Sequence, residues 1–389
     1  MNMSGTIRMP ETVYYGISSL ENLENEIVNL GKEAFIISDK PMKELGYIEK
    51  IEKLLNKQNV NYTVYTGVDS ETKDTHVKET VRKYEEKRFD FIIALGGGSC
   101  IDAAKACALV VTNDKELPEF LGLKDIPNKP LPVVAIPTTS GTGSEVTDAM
   151  VVTNTETNVK MMIKHPYLMP RIAIVDPELT MSAPQSLSVA TGVDALCHAI
   201  EAYLSRKSHV YTDTLALSAT KAIMANLKAV SVNGNDIEAR NAMSIASMQA
   251  GTAFSNSSVT LVHGMSRPLG ALFNVPHGIS NAMLLVPVLE YSLEECTKEL
   301  AEIGRHLDSE IIKLSELDAA QATIKLIKDL CQSLDIPNLK EWGIDEDTFT
   351  GQLEKMAEDA LASGSPANNP KVPSKEEVID LYKKCYSYK

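Results

Sequence analysis

The sequence predicts an N-terminal α/β domain over residues 1–180 and an all-helical C-terminal domain over residues 181–389. In the first half, short apolar runs alternate with helical patterns. After Asp176 and Pro177, β-branched runs become rare and long helical patterns dominate. A length of 389 residues fits two domains at about 100–200 residues each. No Gly/Ser-rich linker separates the halves, so we expect the domains to pack closely around a cleft.

The strands of the first half are short apolar runs bounded by turn or helix signals. They are Ala34–Asp39, Asn61–Tyr65, Phe89–Leu95, Leu131–Ile136 and Ile172–Val175. Helical patterns lie between them, as at Lys43–Gln58 and Thr75–Lys87. Strands that alternate with helices in this way predict a parallel sheet covered on both faces.

The second half carries five long helical patterns. They are Ser188–Leu204, Asp213–Val230, Ile237–Thr252, Leu293–His306 and Leu314–Leu334. Pro276, Pro287 and Pro337 are expected at helix boundaries, because proline disrupts a helix interior. A turn-rich loop at residues 366–373 precedes a last short helix.

The composition excludes several classes of protein. With 44% hydrophobic and 23% charged residues the chain is an ordinary globular protein rather than a disordered one. A formal charge of -14 repels phosphate backbones, so we expect no nucleic-acid partner. The six cysteines form no C-x-x-C pair, which fits a reducing compartment. Without a signal peptide or an apolar run of about 20 residues, we expect no membrane span and a cytoplasmic protein.

The first motif with chemical content follows the strongest strand. Gly96-Gly97-Gly98-Ser99 leads directly into an alanine-rich helical pattern. Glycines let a phosphate approach the backbone, and the N–H groups of a helix N-terminus attract an anion. The alternative is a tight strand-to-helix turn with Ser99 as the N-cap. The spacing matches neither G-x-G-x-x-G nor a Walker loop.

A second loop supports a nucleotide site. Residues 137–145, PTTSGTGSE, follow another predicted strand and can donate several hydrogen bonds to phosphate or ribose, although such loops are commonly only loops. Ligands of open parallel sheets bind beyond the carboxyl ends of the strands. Asp39, at the end of its own strand, can accept hydrogen bonds from a ribose diol, or can serve only to start a helix.

A third motif has the character of a metal site. Asp194 and His198 stand four residues apart in a small, apolar helical pattern and therefore share a face. His263 and His277 lie beside glycines in a further apolar stretch. One carboxylate and three imidazoles form a set that suits Fe(II) or Zn(II). The alternative for Asp194 and His198 is a structural hydrogen bond.

The remaining four histidines are expected at the surface. Three have charged or polar neighbours and the fourth precedes a proline. They are His76, His165, His209 and His306.

Taken together, these motifs resemble the iron-containing (group III) alcohol dehydrogenase family over essentially the whole chain. The carriers are GGGSCIDAAKA, PTTSGTGSEVT, GVDALCHAIEAY and HGMSRPLG…NVPHG. The resemblance implies an N-terminal dinucleotide-binding domain, a helical metal-binding domain of the dehydroquinate-synthase-like architecture, and catalysis in the cleft between them. It also implies a homodimer or larger assembly.

The resemblance implies Asp194, His198, His263 and His277 as metal ligands, with Fe(II) preferred and Zn(II) as the alternative. It assigns the pyrophosphate to the 96–99 loop and the rest of the dinucleotide to the 138–142 loop. The implied cofactor-binding residues are Asp39, Gly97, Gly98, Ser99, Asp102, Thr138, Thr139, Ser140, Thr142, Val151, Lys160 and Leu179.

The cofactor is expected to be NAD(H), because a carboxylate at Asp39 accepts from both ribose hydroxyls and repels a 2′-phosphate. Glu71 replaces the more usual Asn-Pro pattern of the family. The expected reaction passes hydride between the carbinol carbon of a small alcohol and C4 of the nicotinamide, while the cation stabilises the alkoxide. Phe254 is expected to wall the substrate pocket, or else to belong to the core.

One departure from the family pattern bears on the substrate. Many members carry a further histidine four residues after the first C-terminal ligand, and this chain has Arg267. Arginine holds its proton at neutral pH and cannot act as a proton shuttle. A guanidinium near the cation can bind a carboxylated or sulfonated aldehyde, or can form a structural salt bridge.

Three other functions are weighed against the main one. The nearest is a zinc polyol dehydrogenase of the glycerol dehydrogenase type. The others are a lyase or synthase of the dehydroquinate synthase type, which lacks the PTTSGTGSE and GVDALCHA motifs, and a non-catalytic nucleotide-binding protein. The substrate stays open among a short-chain alcohol, a diol and an anionic aldehyde.

Overall fold

The computed structural model describes residues 5–69, 71–113, 115–123, 125–157 and 159–389. The described chain divides into two compact units. One comprises residues 7–183, and the other comprises residues 184–389 together with Gly5 and Thr6.

The first unit is built on a six-stranded sheet of parallel strands. In chain order they are β1 (Thr12–Tyr15), β2 (Glu33–Ile37), β3 (Asn61–Tyr65), β4 (Phe91–Gly96), β5 (Val133–Pro137) and, after a separate hairpin, β8 (Ile172–Val175). They lie in the order β1-β8-β5-β4-β2-β3. The five predicted strands are all present, whereas β1 was not predicted. The hairpin of β6 (Ala149–Asn154) and β7 (Val159–Lys164) is antiparallel and was also not predicted.

Helices cover both faces of this sheet, as the alternation of strands and helices predicted. They are α1 (Leu23–Ile27), α2 (Lys40–Glu44), α3 (Tyr47–Lys57), α4 (Asp74–Glu86) and α5 (Gly98–Val110). Side chains of α1 and α3 pack with Ile36 and Ile93 in one core. Side chains of α5 pack with Phe35 and Ile92 in another. Because alternate residues of a strand face opposite ways, both faces are buried.

The second unit is entirely helical within the described residues. Its α-helices are α6 (Gln185–Leu204), α7 (Val210–Val232), α8 (Ile237–Asn256), α9 (Leu261–Phe273), α10 (His277–Ser292), α11 (Thr297–Leu307), α12 (Glu316–Ser333), α13 (Glu346–Ala362) and α14 (Lys375–Tyr386). The fold class predicted from the sequence is therefore confirmed. Helices α9, α10 and α13 were not predicted from the sequence.

The expectation that Pro287 marks a helix boundary was wrong. Pro287 lies inside α10, and the residues on either side of it are buried. The helix continues through the proline because tertiary packing around a buried segment can compensate for one lost backbone hydrogen bond. Pro276, in contrast, stands at the N-cap of α10, as expected.

Helix α7 is long and apolar enough to cross a bilayer, judged by length and composition alone. It packs against α6 and α8 within the helical unit. A core helix of a water-soluble protein passes the same test, so this helix is weak evidence for a membrane span.

Candidate functional site

The two predicted phosphate loops lie side by side at one edge of the sheet. Gly96 and Pro137, the last residues of β4 and β5, are paired in register, and Thr138 N–H donates to the carbonyl oxygen of Gly96 across 3.0 Å. A Cβ atom on Gly98 would lie 2.7 Å from Oγ1 of Thr142. A side chain at residue 98 would therefore force the loops apart, and glycine allows their close approach.

The first loop starts α5 without a side-chain cap. Gly97 is the N-cap residue, and the helix begins at Gly98. The alternative role of Ser99 as the N-cap is therefore wrong. The Ser99 carbonyl oxygen instead accepts a 2.9 Å hydrogen bond from Thr72 Oγ1. A glycine-capped helix start presents backbone N–H groups that suit a phosphate.

Asp102 ties α5 to the end of the second loop and to strand β6. Its Oδ1 accepts from Ser144 Oγ at 2.6 Å, and its Oδ2 accepts from Val151 N–H at 2.8 Å. Burial raises the pKa of Asp102 above its ordinary value. Both carboxylate oxygens thus have partners within the protein, which indicates a role in positioning the two predicted phosphate loops.

Asp39 adopts the alternative role noted from the sequence. It is the N-cap of α2, because its Oδ1 accepts from Met42 N–H at 2.9 Å. Its Oδ2 lies 3.7 Å from Sγ of Cys100, whose thiol donates to it. Burial raises the pKa of Asp39. Capping a helix leaves further lone pairs on the carboxylate, so the cap is compatible with a ribose contact.

Three other predicted cofactor residues lie in different surroundings. Val151 is exposed on β6, and Leu179 is buried in the core beneath the sheet. Nζ of Lys160, on β7, forms a 2.6 Å ion pair with Oε2 of Glu71. Two positions that the sequence singled out separately are therefore electrostatically coupled.

Three of the four predicted metal ligands converge in the helical unit. One ligand atom each from Asp194, His263 and His277 lies within 4.8 Å of the others. These residues come from α6, α9 and α10 respectively. A Cβ on Gly278 would lie 2.3 Å from the carbonyl oxygen of Ala190, so glycine lets the start of α10 approach α6 closely.

His198 lies beside this group without belonging to it by the same distance criterion. Its ring stacks on the ring of His263, with centroids 4.5 Å apart. The ring of Phe254 also stacks on that of His198, with centroids 4.2 Å apart. Phe254 thus lies next to the predicted ligands and also packs against the hydrophobic core of the helical unit.

The charges within the cluster favour an ionised carboxylate. Burial raises the pKa of Asp194, but His198, His277 and His263 outweigh it and hold that pKa well below its ordinary value. Burial lowers the pKa of His263, but the charge of Glu201, together with hydrogen bonds to Asp194 and Glu201, raises it to about 9. Asp194 is therefore ionised at neutral pH, while His263 holds a proton more strongly than a free imidazole does.

Two polar residues of this cluster were missed by the sequence analysis. Glu201 is hydrogen bonded to Nδ1 of His263. Asn281 Nδ2 donates to Asp194 Oδ1 at 2.7 Å and lies 3.1 Å and 3.2 Å from Nε2 of His263 and His277. Their spacing could have indicated them, because residues three or four apart share a face of a helix. Glu201 follows His198 by three residues, and Asn281 follows His277 by four.

Arg267 lies one turn after His263 on α9 and is half-buried. Burial lowers the pKa of its guanidinium, and the charge of Glu201 opposes that shift. The guanidinium of Arg267 therefore interacts electrostatically with the carboxylate of Glu201. Such an interaction is consistent with the alternative that Arg267 has a structural role.

One of the four histidines assigned to the surface is placed differently. His76 is buried, and its Nδ1 accepts from Lys73 N–H at 3.2 Å at the start of α4. The polar neighbours in sequence concealed this helix-capping role. His165 and His209 are half-buried and His306 is exposed.

The donor set of the cluster fits a divalent cation. A carboxylate oxygen and two imidazole nitrogens, all close together, are ligands that Fe(II) and Zn(II) accept. Oδ1 of Asn281 is buried without a hydrogen-bond partner among the described residues. Such an orphaned oxygen beside three donor atoms is a further feature of a site that takes an electrophile.

Comparison with known proteins shows the family of this chain. Residues 10–177 match the iron-containing alcohol dehydrogenases, and residues 188–386 match the C-terminal part of the Fe-containing alcohol dehydrogenase family. The chain therefore belongs to the iron-containing alcohol dehydrogenase family and is an oxidoreductase of the alcohol dehydrogenase class.

Individual relatives cover nearly the whole chain. The 1,3-propanediol dehydrogenase of Klebsiella pneumoniae is 34% identical over 97% of this chain and 98% of its own length. A solved structure of a 1,3-propanediol oxidoreductase superposes with a TM-score of 0.94 at 33% identity, over 98% of this chain and 100% of its own. The sulfoacetaldehyde reductase of Bifidobacterium kashiwanohense, solved with NAD+, has a TM-score of 0.88 at 27% identity over 100% of both chains.

Proposed function

We propose that this protein interconverts a small alcohol and its aldehyde with NAD(H), using Fe(II) held by Asp194, His198, His263 and His277. The observation that carries the proposal is the convergence of Asp194, His263 and His277 in a chain of this family. Zn(II) is the alternative cation, because the same donors suit both ions. The stacking of His198 on His263 supports its inclusion in the set.

The side chains around the donors have distinct tasks in this proposal. A bound divalent cation supplies Lewis-acid polarisation of the substrate oxygen. Phe254 presents an apolar ring beside His198, which restricts water there. Arg267 keeps its proton at neutral pH and therefore cannot relay a proton. The alcohol proton therefore leaves through water or the cofactor ribose.

The proposed cofactor site is the edge of the sheet where the two loops meet. The start of α5, at Gly97, Gly98 and Ser99, suits the pyrophosphate, and the hydroxyls of residues 138–142 suit the rest of the dinucleotide. Asp39 disfavours a 2′-phosphate by charge repulsion, which supports NAD(H) over NADP(H). The similar sulfoacetaldehyde reductase was solved with NAD+.

The first test of this function is the consumption of NADH and NADPH by the purified protein with propanal and 3-hydroxypropanal. The second aldehyde follows from the similar 1,3-propanediol dehydrogenase. We expect turnover of both aldehydes with NADH and much slower turnover with NADPH. Equal use of the two cofactors would contradict the role proposed for Asp39.

A second substrate class, anionic aldehydes, is supported by Arg267. The guanidinium lies one helical turn from His263, and a similar protein is a sulfoacetaldehyde reductase. A charge-assisted hydrogen bond contributes roughly 1.5–3 kcal/mol, or about 10- to 100-fold in kcat/KM. The competing role is structural, since Arg267 lies within reach of the Glu201 charge.

Paired substrates separate these two roles. Arg267→Ala is compared with the parent and with Arg206→Ala, which alters an exposed arginine of the same unit. If Arg267 binds substrate, kcat/KM for sulfoacetaldehyde falls about 10- to 100-fold while that for propanal is unchanged. An equal loss for both aldehydes would assign Arg267 a structural role.

Location and assembly complete the proposal. All six cysteines are free and buried, which supports a reducing compartment such as the cytoplasm. The family resemblance supports a homodimer or larger assembly. Sedimentation equilibrium of the purified protein tests the assembly, and a monomer at micromolar concentration would contradict it.

A further inference from the structure

The ring of His263 is held from both sides within the helical unit. Its Nδ1 is hydrogen bonded to Oε2 of Glu201, and its Nε2 lies 3.5 Å from Oδ1 of Asp194. All three side chains are buried. Rotation of the ring about its Cβ–Cγ bond would break the hydrogen bond to Glu201, so the direction of Nε2 is fixed by a residue that contributes none of the three clustered ligand atoms.

The other oxygen of Glu201 holds the start of the helix that carries His263. Its Oε1 accepts from Thr260 N–H at 2.9 Å, from Thr260 Oγ1 at 2.8 Å and from His263 N–H at 3.3 Å. Thr260 is the N-cap residue of α9. A carboxylate at a helix N-terminus is favoured by the exposed N–H groups and the helix dipole. Glu201 therefore fixes both the ring and the backbone of His263.

The hydrogen bond to Glu201 also selects one tautomer of the imidazole. A carboxylate only accepts, so the proton of a neutral His263 must lie on Nδ1. The lone pair then lies on Nε2, which faces Asp194 and lies near His277. Metal-binding histidines in proteins generally donate their second N–H to such a partner.

We propose that Glu201 is a positioning residue of the metal site, which orients His263 with its Nε2 lone pair toward the cation. This inference rests on the proposed site of Asp194, His263 and His277. The competing view is that Glu201 only caps α9. Thr260 separates the two, because its hydroxyl bonds to Oε1 alone, whereas the His263 ring bonds to Oε2.

The test measures the affinity of the full-length, metal-stripped protein for Zn(II) by competition with a fluorescent chelator. Glu201→Ala removes both functions of the carboxylate, and Glu201→Gln keeps its size and an acceptor oxygen but loses the charge. Thr260→Val removes the hydroxyl that donates to Oε1 of Glu201 and leaves the side chains of Glu201 and His263 intact. Glu290→Gln is a matched control, because Glu290 lies on α10 and bonds to Lys384 and Tyr388, away from the donors.

We expect Glu201→Ala to weaken zinc binding about 10- to 100-fold, with Glu201→Gln between it and the parent. Thr260→Val should melt at a lower temperature, because it loses a buried hydrogen bond, but its zinc affinity should stay within about twofold of the parent. Glu290→Gln should bind zinc normally. NADH affinity should be unchanged in all variants, since the proposed cofactor site lies in the other unit. Should Glu201→Ala fail to fold, Glu201→Gln carries the test, with circular dichroism as the check on folding.

Two results would overturn the proposal. One is parental zinc affinity in a folded Glu201 variant. The other is an equal loss of affinity in Thr260→Val, which would mean that Glu201 acts only through the helix start. If the parent itself binds no zinc, the proposed metal site fails instead, so the two failures are distinguishable.

Discussion

Lys105 donates a 2.7 Å hydrogen bond from Nζ to the carbonyl oxygen of Ser144, 39 residues further along the chain. The same buried ammonium also reaches Ser144 Oγ, both oxygens of Thr147 and the carbonyl oxygen of Ala149, at 2.8–3.2 Å. Lys105 lies on the helix whose first turn contacts Thr142. It therefore braces the second predicted phosphate loop against the first.

Lys105→Met should weaken NADH binding between about 10- and 100-fold, because a loop displaced by about 1 Å no longer matches the cofactor. Removing a buried charged donor also costs about 3 kcal/mol of folding stability. A fluorescence titration with NADH well below the melting temperature measures the affinity. Lys129→Met, at an exposed lysine of the same unit, is the control. Parental NADH affinity in folded Lys105→Met would refute the bracing role.

Asp39→Ser should relax cofactor choice without loss of stability. Serine caps a helix as well as aspartate does but carries no charge, so the cap on Met42 N–H is kept while repulsion of a 2′-phosphate is lost. We expect the ratio of NADPH to NADH activity to rise about tenfold, in keeping with loss of one charge repulsion of about 1.4 kcal/mol. Asp39→Ala should show the same change together with about 1 kcal/mol of destabilisation. An unchanged ratio in both variants would remove Asp39 from cofactor selection.

Glu145 should make stability depend on pH. Burial raises its pKa to about 7, from an ordinary value of 4.5. The folded state thus keeps a proton that the unfolded chain releases, so the contribution of Glu145 is fully present below about pH 4.5 and is lost as pH rises through about 7. The loss amounts to roughly 3 kcal/mol by pH 8.

Melting temperatures of Glu145→Gln and the parent at pH 5 and pH 7.5 check this sign. The melting temperature of the variant should rise relative to that of the parent as pH rises, because glutamine has no proton to lose. Glu49→Gln, at an exposed glutamate of the same unit, should show the same difference from the parent at both pH values. If the melting temperature of Glu145→Gln differs from that of the parent by the same amount at both pH values, the prediction is wrong.

The sequence was sufficient for the architecture because its central strands are buried on both faces. Ile92, Ile93 and their neighbours read as continuous apolar runs, and those runs became the parallel strands. The hairpin of β6 and β7 was missed, because its alternation of exposed and buried residues is short and mixed with polar side chains. Helix α10 was missed because Pro287 was assumed to end a helix.

Residues of the candidate site could be predicted where they belong to a sequence motif. They could not be predicted where their role depends only on tertiary contacts. Asp194, His263 and His277 stood in recognisable motifs, and the structure brings them together. Glu201 and Asn281 read as ordinary polar residues on helices, since their importance depends on partners 62 and 87 residues away. Long-range hydrogen bonds of this kind leave no local pattern in a sequence.

The most direct test of the central claim is NADH consumption with propanal by protein stripped of metal and then reloaded anaerobically with Fe(II) or Zn(II). We expect no turnover by the stripped protein and recovery of turnover with at least one of the two ions. His263→Ala should fail to recover under the same conditions, while keeping parental affinity for NADH. Full turnover by the stripped protein, or none with either ion despite tight metal binding, would contradict a metal-dependent dehydrogenase.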